Sequence, residues 1–283
     1  MTKNYSLAMY EKAVPNSLTF SQKLKAGIAA GFDRIEISID ETEDRLARLD
    51  WPASKKRELR QFCVSENCPI TTMCLSAHRK YPLGSHDKET REKSLEILNK
   101  AVDFAYEIGV EFIQLAGYDV YYEQHDDITE GYFLNNLLKC VDIVKGSGIR
   151  LGFETMETAF MDTVEKAMRY VSLINSAELG VYPDIGNLQN AATLYGKDVV
   201  DDLKKGSGHI FAMHLKETIP GVYRNLRFGD YCHTKYNECI QFAYDENVRL
   251  FTGEFWYQEG QDYQQETIYS AGFLRKKLDL VFE

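Results

Sequence analysis

Eight short runs of β-forming residues recur along the chain, each followed by a stretch with helical spacing, and this alternation restricts the fold more than any other feature. The runs are YSLAMYE (5–11), RIEISID (34–40), ITTMCLS (70–76), FIQLAGY (112–118), RLGFETM (150–156), LGVYPD (179–184), IFAMHLK (210–216) and RLFTGEFW (249–256). In the second, Ile35, Ile37 and Ile39 alternate with Glu36, Ser38 and Asp40, the period of a strand; others are nearly continuous apolar runs, as strands buried in a parallel sheet should be. Between them, Phe20, Leu24 and Ile28 fall at helical intervals before Gly31. Leu134, Leu138 and Val141 do so before Gly146 and Gly148, and Leu274, Leu278 and Val281 close the chain. Strictly alternating β and α units predict a (β/α)8 barrel, with a doubly wound open sheet as the alternative. At 283 residues the chain has the length of one such barrel. No linker or low-complexity tract divides it, so residues 1–283 are expected to form one domain.

Four of the last runs carry a possible metal ligand near the C-terminal end: Glu154, Asp184, His214 and Glu254. Taken singly, each is ordinary. A carboxylate at a strand end can be a solvated charge or a helix cap, and a histidine can sit satisfied in a core. Together they fall on four successive strands, whose C-terminal ends converge on one rim of a parallel barrel, where buried charges must be paired or metal-bound. Three carboxylates and an imidazole suit one divalent ion among Zn, Mn, Co and Mg. Such a site points to metal-assisted chemistry on an oxygen-rich substrate.

Charge and cysteine content exclude other classes. A formal net charge of −10 leaves little long-range attraction for a nucleic-acid backbone, although a local basic pocket could still hold a small anion. The six cysteines, at 63, 68, 74, 140, 232 and 239, form no CxxC pair and are expected to be reduced. MTKNYSLAMYEK reaches charged residues too soon for a secretory leader, and no apolar run approaches the roughly 18 residues that span a bilayer. A cytoplasmic location without membrane partners is expected.

The strings YPDIGNL (182–188), MHLKET (213–218), LAGYDVYYE (115–123), CLSAHRKYPLGS (74–85) and DETEDRLARLDW (40–51) spread over most of the chain. In them it resembles the L-ribulose-5-phosphate 3-epimerases, also called L-xylulose-5-phosphate 3-epimerases, of L-ascorbate catabolism. These are xylose-isomerase-like barrels, a superfamily that also holds ketose 3-epimerases and endonuclease IV. By motif, the resemblance places the metal ligands on Glu154, Asp184, His214 and Glu254, the set already chosen from the strand ends. It implies that Glu154 and Glu254 act as a proton-transfer pair at C3 of a ketopentose 5-phosphate, a small-molecule partner, and that the protein can form a homodimer. The sequence departs from the family at RFGDY (227–231), where PFGEG is expected, and in GFETMET around Glu154.

Inversion next to a ketone needs this kind of constellation. A polarised carbonyl must stabilise an enediolate, and two carboxyl groups must take and return a proton. Side chains expected to hold the sugar phosphate are His78 and Arg79 after the third strand, Lys216 beyond His214, and Arg224 and Arg227 in GVYRNLRFGD. Asn187 takes the place of a sugar-contacting histidine in the non-phosphorylated epimerases, and Arg224 is the nearest arginine for a second such contact. Glu157, Tyr118, Tyr121, Tyr122 and Trp256 could line the same pocket or simply pack. An aldose–ketose isomerase of phosphosugars could use similar ligands. An endonuclease IV-like nuclease would need more histidines and a basic face, and a non-catalytic sugar-binding barrel would need no metal.

Overall fold

The computed structural model describes residues 3–283. Its strands are β1 (Ser6–Tyr10), β2 (Arg34–Ser38), β3 (Thr72–Leu75), β4 (Phe112–Ala116), β5 (Arg150–Glu154), β6 (Leu179–Val181), β7 (Met213–Leu215) and β8 (Leu250–Gly253). The main helix after each strand is α1 (Phe20–Ala30), α2 (Ala53–Ser65), α3 (Lys88–Ile108), α4 (Asp127–Val144), α5 (Val164–Ile174), α6 (Ile185–Tyr195), α7 (Tyr236–Asp245) and α8 (Tyr263–Phe282). All strand pairs are parallel, and β1 pairs with both β2 and β8. The remaining seam, between β6 and β7, is held by two isolated bridges, Val181 with Ile210 and Asp184 with His214. These close the sheet into a barrel and remove the open-sheet alternative.

Helix boundaries follow local chemistry. Thr19 accepts from the Gln22 amide in a capping box at the start of α1, and Gly31 ends that helix at φ 98°, a conformation glycine adopts without strain. Of the predicted apolar stripe of α4, Val141 is in the core and Leu134 packs partly buried against it, but Leu138 does not join them. Phe133, Leu137, Cys140 and Val141 face the core, whereas Leu138 is exposed, because the helix shows its apolar face at 3.6-residue intervals.

The isoleucines of β2 lie in the main apolar core, and the alternating Glu36 and Ser38 are no less buried. The barrel interior contains a polar network. The Tyr182 hydroxyl donates to Glu36 Oε2 at 2.7 Å and lies 2.9 Å from the Thr252 hydroxyl. Gly152 lets the chain at Tyr182 approach β5 closely, since a Cβ there would come within 2.8 Å of the Tyr182 Cβ.

Just beyond β1, the fully buried Glu11 ties the N-terminal units together. Its carboxylate meets Arg48 at 2.7 Å, Arg45 at 3.0 Å and Lys23 at 3.1 Å, and accepts from the Ser38 amide at 2.9 Å. Burial opposes its ionisation, but Arg48, Arg45 and Lys23 prevail and hold the carboxyl at about 2, against a usual 4.5. A depressed folded-state value means stability that is complete above pH 4.5 and lost as the pH falls through about 2. Burial also lowers the Lys23 ammonium, so the net contribution of the cluster is smaller than the carboxylate's share. Glu11→Gln leaves the buried Lys23 and the half-buried Arg48 without a counter-charge, and Arg45 with Asp40 alone at 3.3 Å; it is expected to cost about 3–5 kcal/mol in urea unfolding at pH 7, with the deficit shrinking towards pH 2. A midpoint equal to that of the parent at pH 7 would show the cluster to be dispensable.

All six cysteines are unpaired. No helix among the described residues is long and apolar enough to cross a membrane.

Candidate metal centre and cleft

The four predicted ligands meet at the C-terminal rim of β5–β8. Glu154 ends β5, Asp184 caps the N-terminus of α6 just past β6, His214 is central in β7, and Glu254 directly follows β8. All are buried, and their ligand atoms lie within 4.8 Å of one another. His214 Nδ1 is 3.7 Å from Glu154, 3.8 Å from Asp184 and 3.5 Å from Glu254. The start of α6 approaches β7 closely because residue 186 is glycine: a Cβ there would stand 2.8 Å from the Lys216 carbonyl oxygen. The Asp184 carboxylate accepts from the Asn187 amide at 2.7 Å through Oδ1, which leaves Oδ2 directed elsewhere.

Glu36 reaches this site from β2, and sequence reasoning missed it. Its Oε1 lies 2.6 Å from His214 Nε2, so Nε2–H donates to the carboxylate and the unprotonated Nδ1 turns its lone pair towards the other ligands. The Gln114 amide nitrogen lies 3.3 Å from either ring nitrogen. The available signal was a glutamate between two isoleucines in the middle of a strand. Glu36→Gln should weaken divalent-metal binding by about 10–100-fold in chelator competition, the usual effect of removing a carboxylate behind a ligand histidine. Unchanged affinity would leave Glu36 a packing group only.

Burial pushes the Glu154 carboxyl up, helped by the charge of Glu254. Burial also raises Asp184, against the pull of Lys216. At Glu254 burial acts in the same direction, but the Lys216 ammonium and His214 outweigh it and hold that carboxyl well below the usual range. Three buried carboxylates this close are unfavourable without compensating positive charge. Asp184 Oδ2 has no aligned hydrogen-bond donor; Lys216 Nζ, at 3.1 Å, supplies charge without that geometry. Three oxygen donors and one imidazole nitrogen converging on one point fit a hard or borderline divalent ion.

A cleft opens above the cluster, bordered by Tyr10, Ser76, Arg79, Asn187, Arg224 and Trp256. Of the residues expected to hold substrate, Arg79, Asn187, Lys216 and Arg224 line it. Arg79 lies 4.9 Å from the centre of the Tyr121 ring, and its buried Nε has no partner. Asn187 donates to the Thr155 carbonyl at 2.7 Å, which leaves its Oδ1 unpartnered. Arg224 faces Trp256 and stands 3.8 Å from Glu157, which also accepts from Tyr121 at 3.1 Å.

Two of the expected phosphate contacts face elsewhere. The His78 ring is buried against the Ser94 carbonyl at 3.1 Å, and burial lowers its pKa to about 4, so it carries no charge for an anion at neutral pH. Arg227 pairs with Glu266 at 3.0 Å and covers the Tyr269 ring on the outer surface. Tyr118 is buried, and Tyr122 is exposed and bonded to Glu41. The sequence reading also passed over Ser76, whose buried hydroxyl at the cleft has no partner.

Residues 24–277 match the family described as xylose isomerase-like TIM barrel. The chain is 41% identical over 230 residues to the L-ribulose-5-phosphate 3-epimerase UlaE of Salmonella paratyphi A, a match that covers 81% of this chain and 80% of that protein. A solved L-ribulose 3-epimerase superposes with a TM-score of 0.78 at 14% identity, covering 98% of this chain and 95% of the other. The IOLI protein, solved with a bound zinc atom, does so with a TM-score of 0.76 at 14% identity, covering 98% and 99%. At that level of identity the structures speak for the fold alone, while the sequence match reaches further: the chain belongs to the xylose isomerase-like TIM barrel family, as a relative of its L-ribulose-5-phosphate 3-epimerases.

Proposed function

We propose that this protein inverts C3 of a ketopentose 5-phosphate, interconverting L-xylulose 5-phosphate and L-ribulose 5-phosphate as a step of L-ascorbate or pentose catabolism. The observation that carries the reading is the placement of Glu154 and Glu254. They stand at the two ends of the four-strand ligand arc, and both border one cleft. The named activity of the UlaE relative supplies the substrate class.

In this reading one glutamate enters as carboxylate and takes the C3 proton. The C3–H electron pair moves into the C2–C3 bond while the carbonyl pair moves onto oxygen, giving an enediolate. The other glutamate, entering as the acid, delivers its proton to the opposite face of C3, and the ketone re-forms; the two exchange roles in reverse. A divalent ion held by Glu154, Asp184, His214 and Glu254 would supply Lewis-acid polarisation of the C2 carbonyl. Asn187 offers its free oxygen to a sugar hydroxyl. Arg79 and Arg224, with the Ser76 hydroxyl, are the donors available for the phosphate, as fixed guanidinium forks suit that group.

The direct test is incubation of metal-supplemented protein with L-xylulose 5-phosphate, followed by identification of the product. Accumulation of the C3 epimer supports the reading. An aldose product, or no reaction with either ketose phosphate, rejects it.

A further inference from the structure

Lys216 was expected at the phosphate, but its ammonium sits in the ligand cluster. Nζ lies 2.9 Å from Glu254 Oε2 and 3.1 Å from Asp184 Oδ2, with the side chain buried. Glu254 and Asp184 pair with no other lysine or arginine among the described residues, and His214 is committed through Nε2 to Glu36. Lys216 also lines the cleft, its ammonium 5.7 Å from the centre of the Trp256 ring. The Lys216 carbonyl accepts from the Thr234 hydroxyl at 3.2 Å, which ties its backbone to the loop before α7.

These contacts raise a conflict that the metal reading must resolve. A divalent ion shared by Glu254 and Asp184 would bind the same two oxygens as the ammonium. Two cations within a few ångströms in a buried site repel strongly, because little water screens them. The side chain borders the cleft, with Trp256 beside it.

We infer that Lys216 is the resident counter-cation of the metal pocket: it neutralises Asp184 and Glu254 while the pocket holds no ion, competes with the ion for them, and swings into the cleft when the ion binds. The inference rests on the proposed metal-dependent reading of the site. It gives one residue two consecutive roles. Before loading, the ammonium keeps buried carboxylates from destabilising the barrel. After loading, it stands in the cleft beside Trp256, where it can face the substrate's oxygens. Metal loading thereby sets the position of a substrate-facing charge.

The test is metal affinity, measured by competition with a chromophoric chelator, for the parent, Lys216→Met, Lys216→Gln and Lys216→Arg. The two neutral variants are expected to bind the ion at least about ten-fold more tightly than the parent, and the arginine variant to stay near it. Thermal unfolding provides a second reading. The metal-free neutral variants should melt below the parent, and added metal should raise their midpoints by more. Lys216→Gln keeps a polar group for the carboxylates if Lys216→Met folds poorly without metal. Equal or weaker metal binding by the neutral variants would overturn the inference, since it would make Lys216 a neutral bystander or a preorganiser of the ligands. Normal metal binding and turnover by the parent, with no tightening in the variants, removes this inference alone. Failure of the parent to bind any divalent ion removes the functional reading with it.

Discussion

Replacing either Glu154 or Glu254 with Gln is expected to reduce C3 inversion by roughly a thousand-fold, because each variant lacks one of the two proton carriers that inversion requires. Gln keeps a ligand oxygen but cannot take or hold the proton, so the assays belong at saturating metal, with bound metal measured alongside. The informative reading is proton NMR in heavy water. The parent should place deuterium at C3 of both epimers. Each single variant should retain exchange at C3 of one epimer only, because a lone carboxylate can still remove and return a proton on its own face. The epimer that continues to exchange identifies the face on which the surviving glutamate works. Deuterium at C1 without any at C3 in the parent reaction would assign the chemistry to an aldose–ketose isomerase, whose enediol spans C1 and C2.

The second large effect is expected at Asp184. Asp184→Asn keeps the cap on α6, since asparagine can also accept from the Asn187 amide, but it removes one of three buried negative charges. Tight metal binding and most turnover should be lost while the fold persists. The metal-free variant should unfold at or above the parent's midpoint, because like-charge repulsion is relieved in a group that burial already disfavours as an anion. His214→Ala is a poorer experiment. It strips the imidazole from the fully buried Glu36, leaving that carboxylate only the Tyr182 and Thr252 hydroxyls, and a charge so poorly compensated would cost about 3–5 kcal/mol on its own, mixing folding with function. Retention of full activity by Asp184→Asn after exhaustive chelation would end the metal reading.

Residues at strand ends were readable in the sequence because a parallel barrel brings every strand terminus to the same rim. Glu154, Asp184, His214 and Glu254 needed only their place in each unit, and they converge as placed. The side of a strand that a residue faces was harder to read. Glu36 alternates with isoleucines as a solvent-facing residue of an antiparallel sheet would, yet both faces of β2 are buried, and its polar face meets His214 across the barrel. Loop residues were the least legible, because their direction is set by contacts distant in sequence. His78 and Arg79 are neighbours, but one ring turns to the Ser94 carbonyl while the other side chain borders the cleft. Arg224 and Arg227 divide in the same way, the second drawn to Glu266 on α8. Lys216 was recognised as a cation near the site, but its pairing with two ligand carboxylates depends on how closely β7 and β8 approach, which composition does not express.

The seam between β6 and β7 has a mechanical consequence. It is the one junction of the barrel without a continuous ladder, and one of its two bridges joins Asp184 to His214, whose amide donates to the Pro183 carbonyl at 2.9 Å. An ion gripped by both side chains would fasten the staves where the hoop is thinnest. Opening there would require breaking coordination bonds as well as two bridges. Amide hydrogen exchange at His214 and Phe211 should therefore slow on metal addition more than at amides inside the β3–β4 ladder, and global unfolding should become slower along with it.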